Sequence, residues 1–154
     1  MASPIVSWYN FDNTTQVTQW QIGTVDAGTV SEDVTFLIWN NRGGSSDVSD
    51  MINCTITTKD VAGGNTGDLV TGRWIEVRVD TMGESTFTPI GGTVTKSIKA
   101  GGTAPAGTIK GTVNDGTKNN SPDNFAQVTL HANVPSIAVA GNVDFLLRVS
   151  YQYT

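Results

Sequence analysis

The fold is decided by the stretch VTFLIWNNRGGSSDVSDMINCTI, residues 34–56, where an apolar strand pattern stops at a cluster of turn formers and a second strand pattern begins. Val34, Phe36 and Ile38 alternate with other residues, so they share one face of an extended chain. Asn and Gly tolerate the backbone conformations of tight turns. We therefore predict that NNRGG (40–44) is a corner between two strands. It is not predicted to bind phosphate, because no helix pattern follows it.

The same alternation recurs along the chain between Gly, Asn, Asp and Pro residues, which favours short strands. No segment has the apolar spacing of a helix; 135–142 is the best candidate for a short helical turn, and even it is more easily interpreted as a connection. About nine or ten short strands without helices are typical of a β-sandwich or barrel. No linker divides the chain, so residues 1–154 are predicted to form one domain. The predicted strands are 4–10, 16–23, 33–40, 49–58, 73–80, 86–90, 93–99, 107–113, 124–134 and 143–154.

The strand patterns also predict which side chains face the core. In RWIEVRVD (73–80), Ile75, Val77 and Val79 oppose a polar face, as in a half-buried antiparallel strand. In 49–58, the face with Ile52, Cys54 and Ile56 is taken as the core face and Met51 lies opposite. In the last segment, a single face carries Phe145, Leu147, Val149, Tyr151 and Tyr153.

Composition and charge exclude several classes of protein. Charged residues make up only 15 % of the chain, below the roughly 25 % of ordinary soluble proteins, which suits surfaces that face other protein. The net charge is −5 and no basic cluster is present, so neither nucleic acid nor membrane is expected as a partner. The N-terminus lacks the features of a signal peptide, and no apolar run reaches membrane-spanning length. We expect a protein made in a cytoplasm, without a signal peptide.

The region around the corner resembles the first half of an immunoglobulin-like β-sandwich, of the kind found in Hydin-like and CARDB-type domains. The resemblance covers about a quarter of the chain. It implies a single immunoglobulin-like antiparallel sandwich that serves for binding or scaffolding, and it carries over no catalytic residue. The matching residues are Gly23, Val25, Gly28, Val34, Phe36, Ile38, Asn40, Gly43 and Gly44.

The whole chain is also similar in style and size to virion proteins of tailed bacteriophages, most of all head-decoration proteins. It shares their low charge, their Gly-, Thr- and Asn-rich strands and a last strand, FLLRVSYQYT (145–154). This resemblance implies a non-enzymatic protein of the virion, assembled in the host cytoplasm, that binds the major capsid protein or other virion proteins and forms a homo-oligomer, with a trimer possible. Tail, baseplate and fibre-attachment proteins share these sequence features and are the alternatives within the virion. A scaffold module of a bacterial complex is a further alternative.

We predict structural roles for two side chains that are often reactive in enzymes, His131 and Cys54. His131 is the only histidine, and its alternation with Leu130 places it on the side towards solvent or a neighbour. No base or orienting partner for it is evident, so catalysis is not predicted. Cys54, the only cysteine, is predicted to be an inert core residue, and it excludes an internal disulfide. No enzyme activity and no cofactor are expected.

The acidic and glycine-rich turns are not predicted to form ligand sites. The EF-hand pattern is absent, although loops distant in sequence could still build a calcium site from Asp47, Asp50, Asp115 and Asp123. The segment GGNTGD (63–68) lacks the Lys-Ser/Thr ending of a phosphate-binding loop. We expect no metal site.

Tryptophan is the residue type most suggestive of binding. Trp8, Trp20, Trp39 and Trp74 lie in predicted strands, and three interpretations stay open: core packing, a subunit interface, or an aromatic platform for sugar rings. Arg42 is a charged loop tip that could meet an acidic partner. The candidate partner-contact residues are Trp39, Asn40, Asn41, Arg42, Trp74 and Arg78.

Overall fold

The corner predicted at residues 40–44 carries the chain from one β-sheet to the other in the computed structural model, which describes residues 1–154. Asn41 and Gly43 adopt positive φ angles of 60° and 66°, as the turn chemistry predicts. The Asn41 side chain donates hydrogen bonds to the carbonyls of Ser46 and Gly111. The corner is thus held by a buried amide as well as by its backbone.

The architecture is an antiparallel β-sandwich of eight strands, which confirms the predicted fold class with fewer strands than expected. One sheet has five strands in the order β1-β2-β7-β4-β5, and the other has three in the order β6-β3-β8. The strands are β1 (Val6–Asn10), β2 (Val34–Asn40), β3 (Ile52–Lys59), β4 (Ile75–Val79), β5 (Thr88–Ile90), β6 (Lys96–Ser97), β7 (Phe125–Ala132) and β8 (Leu146–Gln152).

The strand pairing matches the immunoglobulin-like prediction over most of the sandwich. In that fold, strands A, B, E and D form one sheet, and C, F and G form the other. Here β1-β2-β7-β4 corresponds to A-B-E-D, and β3 pairs with β8 as C pairs with F. No strand lies outside β8, in the position that strand G occupies. The three-stranded sheet therefore ends in an open edge there.

Two predicted strands are wrong, whereas the interpretation of 135–142 as a connection is confirmed. In place of the predicted strand 16–23, Gln16 forms one isolated bridge to Tyr9. In place of the predicted strand 107–113, Ile109 forms one isolated bridge to Met51. A side chain at Gly111 would collide with the carbonyl oxygens of Val48 and Ser49, so this stretch lies close against its neighbour without extended pairing. Residues 135–142 form turns and bends, not a helix.

The short helices lie where no helix was predicted. α1 (Asp68–Thr71) falls in the expected loop 59–72, and single 3-10 turns occupy Asp80–Met82 and Pro122–Asn124. Leu69 and Val70 of α1 are buried, so the turn closes the end of the core. No helix in the chain is long and apolar enough to cross a membrane.

The core lies between the two sheets and confirms most of the predicted faces. Ile75, Val77 and Val79 are fully buried in it, and so are Cys54 and Ile56. Met51 is buried too, against the prediction. The register between β3 and β8 shifts between Ile52 and Thr55, where Asn53 has a φ of 52°. This bulge exchanges the two faces of the strand, so Met51 points to the same side as Cys54.

A second, smaller core covers the outer face of β2. Leu37, Trp39 and Phe125 are buried there, with Tyr9 packed against them. The rings of Trp39 and Phe125 lie 4.7 Å apart between centroids. Strand β2 is therefore buried on both faces, which explains its continuous apolar sequence.

Candidate protein-binding site

A large recess in the molecule is an apolar groove along one side of the sandwich, between β1 and the start of β8. Its volume is about 660 Å³. Most of its lining is hydrophobic, and Asp144 is its one charged residue. We call this recess the open groove. Its main apolar residues are Trp8, Val17, Trp20, Phe36, Phe145 and Leu147.

Aromatic side chains shape the floor of the open groove. Phe36 is buried, and the rings of Trp8 and Trp20 both meet it edge-on with centroids 6.0 Å apart. Trp20 also meets Phe145 edge-on at 5.9 Å. These contacts link β1, the segment after it, β2 and β8. Such aromatic clusters hold their rings in fixed orientations, so the groove is a preformed surface.

The groove exists because the edge of β8 has no neighbouring strand. The inward-facing residues Leu147, Val149 and Tyr151 are only half-buried, whereas Cys54 and Ile56 on the adjacent β3 are fully buried. The backbone of β8 pairs with β3 alone. An unpaired edge presents free N–H and C=O groups, so this side of the sandwich offers both apolar surface and backbone hydrogen-bonding groups.

The predicted contact residues around the corner are engaged within the chain. Trp39, Asn40 and Asn41 are buried, so their side chains cannot meet a partner directly. The reason is packing: Trp39 belongs to the second core, and both asparagines bond backbone groups across the corner. Arg42 is half-buried; its guanidinium carbon lies 3.8 Å from the ring centroid of Tyr9.

Arg42 is held by Asn13 as well as by the aromatic ring. Its Nε and a terminal nitrogen donate to the side chain and backbone oxygens of Asn13, both at 2.9 Å. Arg78 is similarly occupied, because its Nε donates to Asp80 at 2.7 Å. A role for either arginine in binding a partner stays a prediction that would require these contacts to open.

Trp74, the residue directly before β4, lines a second, smaller recess of about 290 Å³. Arg73, Glu76, Pro89 and Asn133 share this recess, and Arg73 has a positive φ of 53°. No second tryptophan lines the recess, so it presents a single aromatic ring and not a pair. Among the six predicted contact residues, Trp74 is the one that lines this recess.

His131 is buried, which contradicts the prediction that it faces solvent or a neighbour. Its Nδ1 lies 3.0 Å from Asp33 and its Nε2 lies 2.7 Å from Glu76, while the ring of Phe87 stacks at 3.9 Å. Carboxylates only accept hydrogen bonds, so both nitrogens can donate at once only when the imidazole is protonated. With both nitrogens occupied, the ring has no free atom for a substrate.

Cys54 is confirmed as a buried core residue. Burial raises the pKa of its thiol to about 11, because a thiolate is poorly solvated in an apolar environment. The thiol is therefore protonated at neutral pH and is a poor nucleophile.

The four acidic residues considered for calcium, Asp47, Asp50, Asp115 and Asp123, each accept hydrogen bonds from other groups of the chain. Asp115 accepts hydrogen bonds from Asn120, Thr117 and Ser121, and the bond from Asn120 contributes most to holding its pKa well below the usual value. Asp47 and Asp123 accept from backbone N–H groups of other loops. No group of three or more His, Cys, Asp or Glu side chains is arranged so that it could hold a metal ion.

Comparison with known proteins adds no assignment. No protein-family model matches the chain. No curated protein matches it either. The functional conclusion consequently rests on the geometry of the sandwich and its surface.

Proposed function

We propose that this chain is a non-enzymatic structural protein that binds other protein subunits through the open groove. The observation that carries the proposal is the groove itself: a preformed aromatic and aliphatic surface beside an unpaired strand edge. Burying apolar area contributes about 25 cal/mol per Å², and strand edges bind extended segments through backbone hydrogen bonds. The two features together favour protein as the ligand.

The reactive groups also favour a passive role. His131 has both ring nitrogens bound to carboxylates, and the thiol of Cys54 is buried. A general base or nucleophile needs access to a substrate. Neither group offers this access, which supports a function in assembly.

The setting that we propose is a bacteriophage particle, in which the protein decorates the outside of the head shell and stabilises it. The resemblance to head-decoration proteins supports this setting. The low charge of the chain and the apolar groove along one side of the sandwich also support it. Binding that favours the assembled shell stabilises it by mass action. Attachment in the tail, baseplate or fibre is the alternative within the same class.

The test uses particles that lack the protein. We expect these particles to form but to release DNA at lower temperature or on milder osmotic shock, and added protein to co-sediment with them and restore their resistance. The variant Val143→Asp/Leu146→Asp places charge on exposed positions of the groove rim and should bind less. Val61→Asp, on an exposed loop that contributes no residue to the groove lining, is the matched control.

Two results would contradict the proposal. Particles without the protein that are as robust as complete ones would remove the stabilising role. Equal binding by the groove variant and the Val61→Asp control would remove the groove as the binding surface.

Carbohydrate binding is the second candidate, and the Trp74 recess is the observation that favours it. An aromatic ring beside Arg73, Glu76 and Asn133 could stack on a sugar and hydrogen-bond its hydroxyl groups. A glycan array followed by titration of wild type and Trp74→Ala would test this. Hits that are lost in Trp74→Ala would favour host recognition, whereas an array without hits would exclude it.

A further inference from the structure

An exposed apolar segment directly precedes the open groove in the chain. Residues 135–142, PSIAVAGN, contain no charge, and Ile137 and Val139 are 87 % and 82 % exposed. A hydrogen bond from the Val134 N–H to the Thr29 carbonyl anchors the base of the segment. The segment therefore presents two large apolar side chains to solvent within three consecutive residues, 137–139.

The spacing of these side chains suits binding to a strand edge. Ile137 and Val139 are two residues apart, so in an extended conformation they point to the same side. In the folded chain the segment turns back, with the Ala138 N–H bonded to the Pro135 carbonyl, and its apolar side chains do not enter the groove of their own molecule. The groove and the segment each lack a partner.

We infer that the occupant of the open groove is the 135–142 segment of a second copy of this chain. The inference rests on the proposed function in taking the groove as a protein-binding surface, and it concerns the free protein; on a particle, the subunits of the shell take the place of the second copy. The segment of one copy lies along the edge of β8 in the other, with Ile137 and Val139 in the groove. Backbone pairing and alternate side chains then act together, as in other cases of strand addition.

Local charge permits a second copy as the partner although the net charge opposes association. The chain carries a net charge of −5, so two copies repel each other over most of their surface. The segment has no charged residue, and Asp144 is the one charge in the groove lining. Contact between segment and groove thus buries apolar surface of two acidic copies with only one charged side chain, Asp144, in each groove.

The position of the segment directly beside the groove sets the symmetry of the proposed dimer. Val143 lines the groove and follows Asn142 directly, so the donor and acceptor surfaces lie side by side. A two-fold axis beside this position lets each copy insert its segment into the other at the same time. Such an isologous interface closes on itself and yields a dimer, not a filament.

The test measures the mass of the isolated full chain by sedimentation over a range of concentrations. Wild type is expected to show a monomer–dimer equilibrium. The segment variant Ile137→Asp/Val139→Asp and the groove variant Val143→Asp should each weaken dimerisation by about tenfold or more. All these positions are exposed in the monomer, so thermal unfolding should confirm intact folding. Val61→Asp should dimerise like wild type.

Mixing provides a second readout. The segment variant retains an intact groove and the groove variant retains an intact segment, so their mixture should dimerise more than either variant alone. A chain that stays monomeric, or forms trimers, would overturn the inference, as would equal weakening by Val61→Asp. A monomeric chain that still binds particles through the groove would overturn the dimer while leaving the proposed function in place.

Discussion

Glu76 and His131 lie directly opposite each other on β4 and β7, and the His131 Nε2 is 2.7 Å from the Glu76 Oε1. On the other side of the ring, the Asp33 carboxylate lies 3.0 Å from Nδ1. Asp33 is the residue directly before β2. The pair of carboxylates thus joins three parts of the five-stranded sheet through one imidazole.

We expect His131→Leu to lower the free energy of unfolding by about 2 kcal/mol, because hydrogen bonds to charged groups contribute roughly that much. Double-mutant cycles in urea should give a larger coupling of His131 to Glu76 than to Asp33. The side chain of Glu76 is 19 % exposed and that of Asp33 is 53 % exposed, and solvent weakens the more exposed pair. A larger coupling to Asp33 would contradict this account of the cluster.

Asn40 is a second residue whose side chain holds distant segments together. Its Oδ1 accepts from the Ile5 N–H, and its Nδ2 donates to the carbonyls of Ser49 and Ile109. Asn40→Asp should lower the free energy of unfolding by about 3 kcal/mol or more, since a buried carboxylate would face two carbonyl oxygens. Asn142→Asp, at an exposed site, should change it by less than about 0.5 kcal/mol. Similar effects of the two substitutions in denaturant titrations would refute the role of Asn40.

Acid stability should depend on Asp80. Burial acts to raise the pKa of this carboxyl, but hydrogen bonds from Thr129, Arg78 and Gln127 outweigh it and lower the pKa below its usual value. The folded-state pKa then lies below the unfolded value of about 3.9. The stabilisation from Asp80 is therefore present above about pH 4 and is lost as the pH falls through the folded-state pKa.

Asp80→Asn should be less stable than wild type at neutral pH, and its stability should fall less steeply below about pH 4. Thermal unfolding across this pH range measures both effects. Asp26→Asn removes a charge from an exposed site outside the network and serves as the control. An unchanged acid profile in Asp80→Asn would show that the network does not stabilise the ionised form.

Cys54 should report on opening of the core. Because burial excludes reagent and raises the thiol pKa to about 11, reaction with a thiol reagent near neutral pH should be slower than that of an exposed cysteine by more than about a hundredfold. The variant Ser45→Cys adds a thiol at an exposed position, so it should show one fast and one slow phase. Two fast phases in the native protein would mean that the core around Cys54 opens readily.

Sequence patterns predicted the fold well where they depend on local periodicity. The alternation in 73–80 and 143–154 and the corner at 40–44 all match the structure, because the side of the backbone on which a residue lies follows from its position in the strand. The prediction failed at Met51, where the bulge at Asn53 exchanges the faces of β3. A single irregular residue that cannot be located from the sequence reverses every orientation on one side of it.

The candidate site was only partly predictable. Trp8 and Trp20 were among the tryptophans singled out, but the groove needs Phe145 and Leu147, which are far away in the chain. Trp39 was offered as a contact residue and is fully buried. The unbroken apolar run Leu37, Ile38, Trp39 was the available signal that β2 is covered on both faces.

The sequence by itself determined that the chain is all-β with a corner after Asn40, because turn chemistry and strand periodicity act between near neighbours. The tertiary structure alone decided which polar groups meet and which edge stays open. Asp33 and His131 are 98 residues apart, and their contact depends on the pairing of β2 with β7. The open groove depends on β8 having no outer neighbour. Strand order and register are set by the packing of the whole core, so neither feature could be seen in any single stretch of residues.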